Sequence, residues 1–187
     1  MALPIDRRIQ ELLAESLREI SVANGYLTNP DVVEIVDPPA PLYINNHKDK
    51  DVLLFIHTAR DTLGEKTGGG TDHNWEVFVS AFYRWKDVAV TDPIQRQVQR
   101  RLGKDMGQDE PYVLRSSLCH DVQKRMEIEG STVAGGSMLS GLVDNIRPEY
   151  AEAMYLDQYN LPEWKGVEFG YVLEYSTALG DPTLAGN

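Results

Sequence analysis

Cysteine is nearly missing from this chain: Cys119 is its one thiol in 187 residues. That excludes an intrachain disulfide and any zinc cage built from several cysteines. Long apolar runs are missing as well. The longest, such as Val52 to Ile56, fall far short of the ~20 residues needed to cross a bilayer, so no membrane partner is expected. The N-terminus lacks the succession of basic stretch, apolar stretch and small-residue cleavage site that marks a secretory signal. Positive charge is scarce: 18 Lys and Arg against 29 Asp and Glu leave a net charge of −11. Because general affinity for nucleic acid comes from clustered cations, phosphate-driven binding is disfavoured. With 42% apolar and 25% charged residues, the expectation is a folded, soluble, acidic protein made in the cytosol, with chain enough to bury a core.

What is present reads first as a helix. Ile5, Ile9, Leu12, Leu13, Leu17 and Ile20 fall on one stripe of a 3.6-residue period, with Pro4 in the first turn and Asn24-Gly25 as a left-handed stop. Asp31 to Val36 is a short β-branched run ended by Pro38, Pro39 and Pro41, which suggests an edge strand. Residues 45–51 read as a polar turn. Val52 to Thr58 is almost continuously apolar and predicts a strand buried on both faces. Residues 61–74, with Gly64 and Gly68-Gly69-Gly70, predict a mobile tip between two strands. Trp75 to Trp85 alternates apolar and polar positions and gives the clearest strand signal. Asp92-Pro93 opens a helix to about residue 105, with Ile94, Val98 and Leu102 as a thin apolar stripe. Another helix is expected from about Pro111 to Glu127, and a flexible loop over 130–141. Leu142 to Ile146 suggests a short strand, 148–163 gives no secure assignment, and Val167 to Tyr175 alternates as a last strand. After Gly180-Asp181-Pro182 the tail from Thr183 to Asn187 should be loose. Sequential strands joined by hairpin-length loops favour antiparallel pairing. The fold class expected is therefore α+β over residues 1–187 as a single domain, a mostly antiparallel sheet with helices packed on one face.

The chemical motifs point away from catalysis. His47, His57, His73 and His120 show no ligand spacing such as HExxH, and ordinary polar histidines are favoured over a site shared by His57, His73 and Asp72. Cys119 and His120 are adjacent on a helix, where neighbouring side chains point about 100° apart, so they do not form a nucleophile and base. Gly68-Gly69-Gly70 and Gly135-Gly136-Ser137 lack the Gly-Lys-Ser/Thr step into a helix that a phosphate cradle needs. Arg96, Arg100, Arg101 and Lys104 form a basic stripe. It reads either as a solvated face or as a contact with DNA phosphate or an acidic neighbouring subunit. Carboxylates are many, but none sits in a pattern that fixes a catalytic pair. No catalytic residue, cofactor or metal is expected.

Three stretches carry a family likeness. They are Ile20-Ser21-Val22-Ala23-Asn24-Gly25-Tyr26 after the first helix, the helix segment from Leu114 to Lys124, and Val172 to Tyr175 followed by Gly180-Asp181-Pro182. In this order, with the strand Trp75 to Trp85 between them, they span most of the chain. The chain resembles the tail terminator, or tail-completion, proteins of tailed bacteriophages. It departs from them in the helix at 93–105 and the lengthened stretch 130–163. The resemblance implies a virion protein of the tail and neck, assembled in the host cytoplasm. It would form a homo-oligomeric ring, usually of six copies, that caps the tail tube and ends its polymerisation. Its partners would be the tail tube protein and a neck or head-completion protein. DNA would pass through the lumen without specific binding, helped by an acidic wall that repels phosphate. The family brings no catalytic motif to carry over. Gly68, Gly69, Gly70, Trp75, Arg96, Arg100, Arg101 and Lys104 are the candidate contact residues. Two rival readings are another neck or head-completion protein of the same virion, and a small hydrolase using Cys119 or a carboxylate pair.

Overall fold

The structure is a computed structural model that describes residues 4–63, 70–84, 110–131, 137–178 and 181–185. The expected helix over 93–105 and Trp85 lie outside these residues. The elements in chain order are α1 (Ile5–Arg18), β1 (Val32–Ile35), β2 (Val52–Leu63), β3 (Gly70–Arg84), α2 (Glu110–Glu129), β4 (Asn145–Met154), β5 (Trp164–Ala178) and β6 (Asp181–Ala185). Short 3-10 segments occupy Val22–Asn24, Ala40–His47 and Asp157–Tyr159. One sheet has the strand order β1-β2-β3-β5-β4, with β6 paired to β5. The α+β class and the mostly antiparallel sheet are as the alternation and loop lengths led us to expect.

The two faces of the sheet follow from strand alternation. Leu54 and Ile56 of β2, Val77, Val79 and Ala81 of β3, and Val167, Phe169 and Leu173 of β5 point to the face covered by the helices. There they meet the buried stripe Ile5, Ile9, Leu13 and Leu17 of α1, and Leu118, Val122 and Met126 of α2. Each such side chain taken from water contributes about 1.5–3 kcal/mol. The opposite face holds a smaller core of Leu53, Phe55, Phe82 and Trp164, closed by Ala40 and Ile44 of the 3-10 segment and by Leu156 and Leu161. Helices thus lie on one face, while the proline-started 3-10 segment covers one end of the other.

Several expectations are corrected. The tip expected over 61–74 is narrower: β2 runs to Leu63, and Gly70 to Asn74 belong to β3, paired with Glu174 to Ala178 of β5. Polar composition misled here because cross-strand hydrogen bonds do not depend on side-chain polarity. β1 pairs with β2 in parallel, not antiparallel, in register from Val32 opposite Leu53 to Ile35 opposite Ile56. The strand expected at Leu142 to Ile146 begins at Asn145 and continues to Met154, so the unassigned stretch holds an edge strand, mostly exposed, with a bulge between Pro148 and Tyr150. The tail expected to be loose contributes β6. The end of the expected loop 130–141 is fixed, because Leu139 is fully buried and its N–H donates to Glu129 Oε2 at 3.0 Å.

Two buried carboxylates of α2 tie distant segments together. Asp121 accepts from Leu27 N at 2.9 Å, from Thr28 N at 2.7 Å and from Thr28 Oγ1 at 2.7 Å. Lys124 donates to Gly25 O at 3.0 Å and sits 4.6 Å from the centre of the Tyr26 ring. Gly25 itself has φ +81°, a backbone region that a Cβ disfavours. Further along, Glu129 pairs with Arg125 at 2.8 Å and accepts from Ser16 of α1 at 2.6 Å and from Ser137 at 3.0 Å. Asp121→Ala would leave buried N–H donors without an acceptor. It should lower the unfolding free energy by about 2–4 kcal/mol. Glu11→Ala, at the exposed Arg7–Glu11 pair, should change it by less than about 0.5 kcal/mol. Urea denaturation of both variants measures the contrast, and equal losses would refute the tie.

Candidate interaction surfaces

The residues singled out from sequence do not gather in one place. Gly70 opens β3, is buried, and lies opposite Ala178. Trp75 is only 6% exposed and meets the Tyr175 ring edge-on at 6.2 Å, so its indole packs the helix-side core. Gly68, Gly69, Arg96, Arg100, Arg101 and Lys104 lie outside the described residues. Cys119 is half-buried, and that burial pushes its thiol up from the ordinary range while Arg115 pulls against it. A thiol held in this way is a poor nucleophile at neutral pH. Among the described residues no group of three His, Cys, Asp or Glu side chains is placed to hold a metal.

His57 and His73 lie in the paired strands β2 and β3 but on opposite faces of the sheet, so they share no site with Asp72. His73 stacks on Tyr175 at 4.6 Å on the helix side and contacts Asp61 at 2.9 Å and Thr177 at 3.0 Å. Asp72 instead accepts from Ser176 at 2.9 Å.

His57 is the centre of a polar cluster on the other face, which the sequence did not reveal. Its Nε2 lies 3.0 Å from Ser80 Oγ and 3.3 Å from Glu168 Oε2. Ser80 donates to the same Glu168 oxygen at 3.2 Å, and Tyr150 donates to Oε1 at 3.0 Å. His57 also stacks on Phe78, with ring centres 5.1 Å apart. Four strands supply these groups, and only the register across β2, β3, β5 and β4 brings them together. Gly170 makes the room: a Cβ there would come within 2.5 Å of the Tyr150 ring. The hydrogen bond from His57 holds the Glu168 carboxyl below its ordinary value, against its partial burial. Burial first, and then the Glu168 contact, push the Tyr150 phenol far above its ordinary value.

A histidine, a serine and a carboxylate invite comparison with a hydrolytic triad, and the geometry argues against it. In a triad the carboxylate orients one ring nitrogen while the other takes the serine proton. Here serine and carboxylate meet at the same nitrogen, the serine proton points to Glu168, and the buried Nδ1 has no partner among the described residues. The cluster fixes Tyr150 of the exposed edge strand onto the sheet.

A second feature lies on the helix side, between α2 and β4. It is a groove of about 650 Å³ whose floor is Met126, Ile146, Pro148, Phe169 and Tyr171, with Glu127 and Glu149 at its margin. Glu127 raises the Tyr171 phenol, after burial, by its nearby negative charge. At the end of β4, Tyr155 is 84% exposed.

No protein-family model matches this chain, and a search of curated proteins returns no match.

Because the folded-state carboxyl of Glu168 is held below its ordinary 4.5, its stabilising contribution is complete above that pH. It is lost as the pH falls through the depressed folded value. Wild type should therefore exceed Glu168→Gln in stability at pH 7, and the gap should narrow steadily below about pH 4.5. Urea midpoints taken from pH 7 to pH 3 check this, and a gap independent of pH would contradict it.

Proposed function

We propose that this protein is a tail terminator of a tailed bacteriophage. It acts as a ring-forming structural subunit that caps the tail tube, stops its growth and joins it to the neck. The single observation that carries the reading is the ordered likeness of three stretches, two of which are joined in the fold. Lys124, within the helix segment that carries the resemblance, donates to Gly25 O and sits over the Tyr26 ring of the first stretch, and Asp121 of the same segment holds the next two residues, Leu27 and Thr28. The third stretch lies in β5 and the start of β6, and it supplies Leu173 and Tyr175 to the same core. A subunit of this kind works by shape. One ring face matches the last tube ring and offers no surface for the next, and the other face docks the neck.

Other features support the same reading. β4 stands along the sheet flank with its outer edge unpaired among the described residues. Pro148, a bulge and the charges Arg147, Glu149 and Glu152 guard that edge against uncontrolled strand pairing. Such a surface suits controlled contact between symmetric copies. The net charge of −11, multiplied around a ring, would repel phosphate from a conduit wall and let DNA slide.

Adding the purified protein to polymerising tail tube protein should stop elongation, giving short tubes with one end capped in electron micrographs. Unchanged tube lengths at saturating protein would refute the reading. Headless tails separate it from the neighbouring function in the virion. A terminator is found on tails that lack heads, whereas a head-completion protein stays with the capsid.

A further inference from the structure

We propose that the groove between α2 and β4 binds an extended peptide segment of a partner protein, which adds as a strand to the outer edge of β4. The segment alternates apolar residues with Lys or Arg. This inference stands on the groove alone and would survive loss of the terminator reading. One wall of the groove is the end of α2, from Gln123 to Gly130, and the other is strand, from Ile146 to Ala151. The walls meet at one end, where a Cβ on Gly130 would lie 3.4 Å from Ile146 Cβ. The strand wall sets the conformation of the occupant. β4 pairs with β5 on one side, and its outer edge is unpaired among the described residues. Backbone N–H and C=O groups along such an edge find partners in an extended chain. A helix, whose own groups are already bonded, offers none.

The lining sets the chemistry of the occupant. Side chains of an added strand alternate, so every second one enters the groove. There they meet the apolar Met126, Ile146, Phe169 and Tyr171. At the margin Glu127 is exposed and has no ion-pair partner among the described residues, while Glu149 pairs only with the exposed Arg147 at 2.8 Å. Among the described residues no Lys or Arg lines the groove. Lys or Arg beside the apolar positions of the segment answers both carboxylates, and the net charge of −11 draws such a segment in. Tyr150 lines the groove and is tied to Glu168 at 3.0 Å, so the receiving edge is set before binding. Pro148 has no N–H to donate, and the bulge after it interrupts the ladder. Backbone pairing alone is therefore weak there, and a strand is held only when its side chains also suit the groove. The features that turn away arbitrary strands thus make the site selective.

Fluorescein-labelled decapeptides that alternate lysine with valine, leucine or tyrosine test the site by fluorescence anisotropy. At least one should bind saturably to the full chain. The same composition with its lysines gathered in one block should bind about tenfold more weakly, because charge alone does not place apolar side chains on the floor. Glu127→Lys combined with Glu149→Lys should also weaken binding about tenfold, with circular dichroism showing the fold intact. N-methylation separates strand addition from charge attraction. Methyl groups on every second backbone nitrogen line one edge of an extended peptide. One of the two possible sets should therefore abolish binding, and the other should be tolerated. If none of the alternating peptides binds saturably, the proposal is overturned, whether this chain's own residues, a second copy or nothing occupies the groove. Equal binding by the blocked peptide, no loss in the double variant, or indifference to both methylated sets overturns it as well.

Discussion

The pairing of β3 with β5 is the constraint on which the rest of the structure depends. The two strands, each 15 residues long, pair without a register break from Gly70 opposite Ala178 to Arg84 opposite Trp164. Because side chains alternate between faces, this one register decides which residues enter each core. It sends Val77, Val79, Phe169 and Leu173 to the helices and Phe82 and Trp164 to the smaller core. A slip of β5 by one residue would turn its side chains over and place Glu168 against α1 and α2. Two glycines of β5 make the arrangement sterically feasible. A Cβ at Gly166 would come within 2.9 Å of Phe82, and one at Gly170 would strike Tyr150.

An acidic chain has used a few of its carboxylates as internal fasteners. Asp121 and Glu129 are buried on one face of α2, eight residues apart, and each satisfies donors from segments far away in sequence. Burying a carboxylate is costly unless hydrogen bonds compensate. Here the partners are backbone N–H groups, hydroxyls and one guanidinium, which together answer the oxygens. Glu168 plays a similar part at the sheet surface, where it links β2, β3 and β4 through His57, Ser80 and Tyr150. These ties bring to the helix and sheet the turns that an isolated strand-and-helix frame would leave loose. They also hold the edge strand β4 to the sheet through Tyr150.

The legible part of the candidate surfaces was small for a physical reason. Trp75 stood out as aromatic on a strand, but aromatic content does not say whether a partner or the core covers it, and the core does. The His57 cluster could have been suspected from Ser80, which interrupts a run of apolar residues from Val77 to Phe82, since a buried hydroxyl needs a partner. Nothing along the chain connects that position with Tyr150 or Glu168, which lie 70 and 88 positions away. The groove is less legible still, because a concavity belongs to two elements at once.

The order of residues along the chain determined α1, the double-sided burial of β2 and the alternation of β3 and β5, because those patterns arise from periods of 3.6 and 2 within a single segment. It also determined the acidic charge and the lack of disulfides. Tertiary structure alone decided the parallel placement of β1, the length of β4 and the use of the tail as β6. Each of these depends on what lies across a hydrogen-bonded edge, and a strand that is polar and exposed carries no period of its own. Whether a polar residue sits in a tip, a strand or a buried tie is settled by its partners, which only the fold brings near.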